Sequence, residues 1–165
     1  MLPLKAIVAV SQNGVIGKQG KLPWKIPSEG RWFREQTMGA ILVMGRLTYE
    51  SLPAPLQGRT TLVLTNDLSY PQNRLARRVA SVNEVLWWAE KQKRQVWVCG
   101  GSKVYDQLLP HCSEVLKSVI HQNVEDGDAF FPKLGMPDWV HRQTLFRTQL
   151  FHVEQFTRPS CFTGR

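Results

Sequence analysis

A single carboxylate, Glu29, stands in the stretch GKLPWKIPSEGRWF (residues 20–33) among aromatic, proline and cationic side chains. A lone acid in apolar company can do proton chemistry, whereas a Glu in the first turn of a helix opened by Pro27 can simply complement the helix dipole. Glu29, Trp32, Phe33 and Gln36 fall at i, i+3, i+4 and i+7, so they share one helical face. If that face turns inward, Glu29 lies at the bottom of an apolar cleft. Burial would raise its pKa and the helix N-terminus would lower it, and the sequence leaves the two opposed.

Three glycine-bearing loops could hold an anion or close over one. SQNGVIGKQGKLPWK contains Gly14, Gly17 and Gly20 but continues into Leu22, Pro23 and Trp24. A phosphate-binding P-loop would need GxxxxGK, then Ser or Thr, then a helix, so the loop reads as a mobile lid or an ordinary surface loop. VMGRLTYES (43–51) ends a strand, turns on Gly45 and opens a helix with Arg46 and Thr48 in its first turn. Free N–H groups, a dipole, a guanidinium and a hydroxyl suit a phosphate, although a capped strand-to-helix turn would look the same. VWVCGGSKVYDQLLP (96–110) repeats the order strand, glycines, helix, with Asp106 where the GxGxxG fingerprint has its third glycine. Paired Gly100 and Gly101 still imply a close backbone approach or an unusual conformation, and Lys103 adds a cation.

These loops need a frame to hold them. Residues 5–10, 40–44, 60–65 and 95–99 are short apolar runs rich in β-branched residues, the pattern of strands buried on both faces of a parallel sheet. Helical patterns at 27–37, 46–51, 82–93 and 102–109 separate them, which predicts an α/β sheet with crossover connections. After residue 113 strands follow one another without helices, at 115–121, 139–147 and 150–157, predicting a last strand and a hairpin on an antiparallel edge. Ligands of such sheets sit outside the carboxyl ends of the strands, where the three loops are.

The 165 residues suit one domain, and the 42% hydrophobic residues include no run able to cross a bilayer. MLPLKAIVAV has neither the basic head nor the cleavage site of a signal peptide, so a cytoplasmic protein is expected. Cys99, Cys112 and Cys161 are odd in number and lack CxxC spacing. Reduced thiols are expected, with Cys99 in the core, and no metal site. The net charge of +8 points to anionic partners: nucleic acid, a phosphorylated cofactor or a carboxylated substrate. Arg74, Arg77 and Arg78 form the one dense basic cluster, with Arg59 apart, and no nucleic-acid-binding motif accompanies them. A solvated surface is favoured over a nucleic-acid site, and no membrane association is expected.

Taken in order, GVIG (14–17), LPW (22–24), MGRxTxES (44–51), Gly58 with Arg59, CGGxxVY (99–105) and EDGDAFFP (125–132) resemble dihydrofolate reductase over residues 4 to about 158. The resemblance implies a doubly wound mixed α/β sheet of about eight strands, mostly parallel with an antiparallel C-terminal strand, flanked by about four helices. It implies one domain over 1–158 with a tail at 159–165, a monomer, and hydride transfer from NADPH to carbon 6 of dihydrofolate with protonation at nitrogen 5, in support of one-carbon metabolism. Glu29 would bind the pterin 2-amino and N3 groups, Trp24 would hold a water beside it, and Ser118 would stand for the family's bridging threonine. Ile7, Val8, Ala9, Gly30, Phe33, Leu52 and Leu56 would line the pocket, and Arg59, assisted by Arg34, would take the α-carboxylate of the glutamate tail. Gly45, Arg46, Leu47 and Thr48 would hold pyrophosphate and adenosine. Leu64, Thr65 and Asn66, with Arg46 and Lys103, would surround the 2′-phosphate. Cys99, Gly100, Gly101, Ser102, Lys103 and Val104 would follow the pyrophosphate and ribose, with Ala9, Ile16, Gly17 and Tyr105 around the nicotinamide. The resemblance also implies a cis Gly100–Gly101 bond, a lid over residues 11–25 and no metal.

Glu29 stands where bacterial members most often carry aspartate, and Gly30 where leucine is usual. The glutamate resembles the mobile trimethoprim-insensitive reductases, whereas Gly30 removes pocket contacts, so antifolates such as methotrexate and, more weakly, trimethoprim are expected as ligands. The related pyrimidine reductase of riboflavin synthesis lacks LPW with a carboxylate on the next helix. A non-enzymatic basic nucleotide-binding domain is the alternative from another class.

Overall fold

The computed structural model describes residues 3–160. Cys161 and the remainder of the expected tail, 161–165, lie outside the described residues. The chain runs β1 (Leu4–Ser11), β2 (Val15–Gly17), α1 (Pro27–Thr37), β3 (Ile41–Gly45), α2 (Arg46–Glu50), β4 (Thr60–Leu64) and β5 (Ala76–Val79). It continues through α3 (Val82–Lys91), β6 (Val96–Val98), α4 (Ser102–Leu108), a 3-10 turn (Leu109–His111), β7 (Cys112–Ile120), β8 (Ala129–Phe130), β9 (Val140–Arg147) and β10 (Phe151–Thr157).

Eight strands form one sheet in the order β5-β4-β3-β6-β1-β7-β10-β9, and β2 pairs with β8 in a separate ribbon. From β5 to β7 all pairings are parallel, whereas β10 runs antiparallel to both β7 and β9. The architecture is the doubly wound mixed sheet expected. β5, β2 and β8 are additional to the predicted strands, for different reasons. β5 reads Ala-Arg-Arg-Val and lies at the sheet edge, where charged side chains are tolerated and even useful. β2 and β8 are too short to show a periodicity.

Strand parity divides the interior. Ala6, Val8 and Val10 of β1 join α3 and α4 residues such as Val85, Ala89, Val104 and Leu108 in the larger cluster. Ile7 turns to the opposite face with Leu42, Met44, Trp97 and Leu116, covered by Trp32 and Phe33 of α1 and Tyr49 of α2. Two helices therefore cover each face. α3 is capped reciprocally: Ser81 Oγ accepts from Glu84 N at 3.2 Å while Glu84 Oε2 accepts from Ala80 N at 2.7 Å. In the hairpin, Thr148 Oγ1 accepts from Leu150 N and Phe151 N, closing a turn of three residues between β9 and β10. No helix among the described residues is long and apolar enough to cross a membrane.

The chain leaves β1 toward β3 on one side, then returns through β6 and crosses to β7 on the other side of β1. The carboxyl ends of β1, β3 and β6 border the crevice that this reversal opens.

Candidate active site

Glu29 is only 8% exposed and, with Arg59, is one of two charged residues that are buried among those described. It reaches that position because Pro27 opens α1 after an extended Ile26, whose carbonyl accepts from Glu29 N at 3.1 Å and Gly30 N at 3.2 Å. Burial pushes its pKa above the ordinary carboxylate value, and the hydroxyl of Ser118 acts in the opposite direction. Desolvation thus outweighs the Ser118 hydroxyl. Ser118 is fully buried on β7, paired with Ala9 of β1 and Val153 of β10, and its Oγ has no partner at full hydrogen-bond geometry. Trp24, like Ala9, Ile26 and Trp32, packs against the buried cluster of Ile120, Phe151 and Val153, and its Nε1 is likewise buried without a partner. Two orphaned polar atoms therefore adjoin the residues around the one buried acid, where a bound polar group would satisfy them.

Phe33, Leu52, Leu56 and Cys99 pack partly buried against the cluster that contains Ile7, Leu42, Met44 and Leu116, making the apolar wall. The helical face is not the predicted one throughout: Gln36 is exposed and Thr37 is fully buried, so the inward stripe follows i, i+4 and i+8 from Glu29. Thr37 Oγ1 bridges Phe33 O at 2.8 Å and Arg59 Nη1 at 3.2 Å, and Arg59 Nε donates to Gln57 O at 3.1 Å. Thr37 thereby fixes Arg59, which is 7% exposed, and the signal for it in sequence was its place one turn after Phe33. Arg34 is exposed and close enough for its charge to lower the Arg59 pKa, although burial lowers it more. Gly30 is exposed, and a Cβ there would meet nothing within 4 Å. Val8 requires a correction: it belongs to the cluster on the α3 and α4 face, so its side chain cannot line this cleft. The cause is the two-residue period of β1.

On the other side of the crevice, Gly45 N donates to Gly100 O at 2.9 Å, tying together the two strand-to-helix turns. Gly45 and Gly101 are the N-caps of α2 and α4, and neither cap supplies a side-chain acceptor to its helix. A Cβ on Gly45 would lie 3.3 Å from Val104 and one on Gly101 would lie 3.3 Å from Thr48 Oγ1. Gly100 has φ +103° and a Cβ there would lie 3.0 Å from the Tyr105 ring, and its bond to Gly101 is cis as the resemblance implied. Free N–H groups and bare backbone in this cradle suit the phosphates of a dinucleotide, which the chemistry of NADPH fits. Arg46, Leu47, Asn66 and Lys103 are exposed beside it, with Thr48, Leu64, Thr65, Gly101 and Ser102 half-buried. Val104 and Tyr105 are buried, and Tyr105 Oη donates to Ile7 O at 2.7 Å. The Cys99 thiol is pushed far up by burial and the Cys112 thiol to about 12, so neither is a nucleophile at neutral pH.

The loop 11–25 is fastened to the segment 122–131. Asn13 Nδ2 donates to Val124 O at 2.9 Å, Val124 N donates to Asn13 Oδ1 at 2.9 Å, and Gln19 N donates to Asp128 Oδ2 at 2.8 Å. This contact holds Ile16 and Gly17, both half-buried, near β1 through contacts of β2 with β1 and β8. Asp128 and Asn13 are structural fastenings of the loop that the sequence did not single out, although Asp128 lies inside the EDGDAFFP motif.

Residues 3–155 match the family model described as dihydrofolate reductase. Dihydrofolate reductase type A13 of Escherichia coli is 38% identical over 154 residues, covering 92% of this chain and 92% of that protein. Dihydrofolate reductase of Enterococcus faecium is 38% identical over 127 residues, covering 76% and 75%. Dihydrofolate reductase from Enterococcus faecalis, solved in complex with NADP(H) and RAB-propyl, superposes with a TM-score of 0.86 at 37% identity, covering 94% of this chain and 96% of that one.

Proposed function

The chain belongs to the dihydrofolate reductase family and is an NADPH-dependent oxidoreductase that reduces dihydrofolate; from that premise we propose how its own residues carry the reaction. Glu29 binds the 2-amino and N3 edge of the pterin and favours the protonated form of nitrogen 5. Trp24 Nε1 holds the water beside it, and Ser118 Oγ bridges the carboxylate and the pterin amino group. NADPH supplies the hydride that goes to carbon 6. The observation that carries the reading is the pairing of one buried, desolvated carboxylate with two buried donors that lack partners, Trp24 Nε1 and Ser118 Oγ. A charge held in a dry cleft acts more strongly on a developing cation than it would in water.

The remaining residues position. Ile7, Phe33, Leu52 and Leu56 clamp the pterin and benzoyl rings, and the Arg59 guanidinium, held by Thr37, forks onto the α-carboxylate with Arg34 outside it. The two glycine-capped turns hold the pyrophosphate, while Arg46, Thr65, Asn66 and Lys103 take the 2′-phosphate. Residues 11–25 close over the nicotinamide and exclude water; orientation of this kind is worth up to ~7–11 kcal/mol. Residues 1–158 form the one reductase domain of a cytoplasmic monomer that serves one-carbon metabolism and thymidylate synthesis.

Glu29→Gln is the test. Dihydrofolate-dependent loss of NADPH absorbance should fall roughly 100-fold or more at neutral pH, the scale of a lost acid–base group. Undiminished turnover by Glu29→Gln would remove the residue from this role. We also propose methotrexate as a tight ligand and trimethoprim as a weak one, conferring resistance, because a longer acid at 29 and open space at 30 alter the fit to a diaminopyrimidine. An inhibition constant for trimethoprim as low as that of an ordinary sensitive bacterial enzyme would sink this.

A further inference from the structure

Three of the chain's four histidines, His121, His141 and His152, are linked at the hairpin end of the sheet. His152 pairs with Val119, a member of the cluster under α3 and α4, so it lies on the sheet face away from Glu29. His121 directly follows β7, and its Nε2 lies 2.8 Å from His152 Nδ1 of β10. The other His121 nitrogen, Nδ1, lies 2.9 Å from Gln149 O in the turn between β9 and β10. His152 Nε2 lies 3.0 Å from Glu154 Oε1, and His141 Nε2 lies 3.4 Å from Oε2 of the same carboxylate.

These contacts fix the number of protons. A carbonyl and an ionised carboxylate only accept, so His121 Nδ1 and His152 Nε2 each carry a hydrogen. Two bare lone pairs cannot face each other at 2.8 Å, so the inner nitrogens hold a third hydrogen between them. Two neutral imidazoles carry two N–H groups in all. The pair is therefore a monocation, with one proton shared between two rings, and its separation is that of a charge-assisted bond. Charged groups reach it from each surrounding strand. Arg147 of β9 is exposed, pairs in register with His152, and brings Nη1 to 3.5 Å from His121 Nε2 and 3.3 Å from His152 Nδ1, both long for hydrogen bonds. Glu154 of β10 answers His152 and His141 together, and Lys117 of β7 stands opposite Glu154 with its ammonium 5.5 Å from the Phe156 ring. No group of three or more histidine, cysteine or acidic side chains among the described residues is placed to hold a metal ion, so a proton is the cation this pair can share. When that proton leaves, both inner nitrogens become acceptors, and the guanidinium beside them can only donate.

The pair stands at the root of the lid's anchor. His121 N donates to Leu150 O at 2.9 Å, and Gln122 O accepts from Gln12 N at 2.9 Å. Two residues further on, Val124 makes its two bonds to Asn13. We propose that His121 and His152 form a proton-sharing clasp between the β9–β10 hairpin and the segment that fastens residues 11–25, and that losing the shared proton passes the clasp to Arg147 and alters how the lid is held. The proposal rests on the reading of residues 11–25 as the lid. Histidine is the side chain that changes charge between about pH 5 and 8, so the proton bridges the rings at the acid end of that range and Arg147 replaces it towards the alkaline end.

The test is nitrogen-resolved NMR of the imidazole rings and backbone amides of the full chain, titrated from about pH 5 to 8. The two rings should titrate on one curve with a single proton lost between them, and the Asn13 and Val124 amides should follow it. In His152→Gln and in His121→Gln those amides should stop following pH; the first variant serves where the second disturbs the end of β7. Arg147→Gln should leave the acid spectra unchanged and alter those at the alkaline end. The ratio of single-turnover hydride-transfer rates, wild type to His152→Gln, should change roughly twofold to tenfold over the same range, the scale of one hydrogen bond. Rings that titrate independently, Asn13 and Val124 amides that ignore the ring titration, or a constant rate ratio would each overturn the proposal. The spectra need no turnover, so an absence of dihydrofolate-dependent NADPH oxidation would instead sink the reductase function, and the two failures stay distinct.

Discussion

Gly127→Ala tests whether the lid is positioned by the segment beneath it. A Cβ on Gly127 would sit 2.6 Å from Val15 Cγ2, closer still to Cγ1, and 3.1 Å from Val15 Cβ. Val15 is 1% exposed and cannot turn its branched side chain away without losing that burial. Overpacking on this scale costs about 1–3 kcal/mol, and a domain of this size loses roughly 2–4 °C of melting temperature per kcal/mol. The easiest relief is local, because β2 spans only Val15–Gly17 and is paired through two register positions with β8. Ile16 and Gly17 would then move from the crevice, and an ångström of misplacement can cost about 100-fold in rate. Thermal melts and single-turnover NADPH absorbance should show a fall in hydride-transfer rate larger than the loss of stability explains. The double variant Gly127→Ala with Val15→Ala removes the two colliding methyls and should recover most of the rate, a coupling of about 1–2 kcal/mol in a double-mutant cycle. A single variant as fast and as stable as wild type, or a double variant no better than the sum of the singles, would refute the reasoning.

Three further outcomes are expected. The Glu29 pKa is raised in the folded state above its ordinary 4.5, so the folded protein holds that proton more tightly than the unfolded chain. Stability from this group is present below pH 4.5 and is lost as pH rises through the folded value; urea melts should therefore show Glu29→Gln gaining on wild type as pH is raised from 4.5 to neutral, and a constant difference would contradict it. Arg59→Lys should raise KM for dihydrofolate roughly 10- to 100-fold while leaving KM for NADPH unchanged, because the forked geometry held by Thr37 is lost. Gly30→Ala should raise stability by about 0.5–1 kcal/mol in thermal melts, since the site is helical and a Cβ there meets open space.

Much of the frame was legible because burial on both faces makes a strand apolar throughout. Runs such as AILVM and TTLVL could be read as central strands, and the glycines after them marked where the backbone must stay bare. The edge strand β5 was not legible, since a strand with one free edge can carry Arg77 and Arg78 and then resembles a basic loop. Glu29 was legible as a candidate through its aromatic neighbours, but its role was not, because a first-turn Glu on a solvated helix has the same local sequence.

The sequence by itself determined which residues end strands and open helices, because those choices depend on apolar runs, glycines and prolines that act over a few positions. It also determined that one acid, Glu29, and not a pair, would be available beside Trp24, Trp32 and Phe33. Only the tertiary structure decided on which face each strand residue lies, so that Ile7 reaches the cleft while Val8 does not, and Arg78 faces α2 while Arg77 meets Trp88. It alone set Asp128 under Gln19 and Ser118 beside Glu29, contacts that span more than 85 residues of chain. Such contacts come from the register between strands far apart in sequence, and a register shift of one residue would exchange the two faces without changing any local propensity.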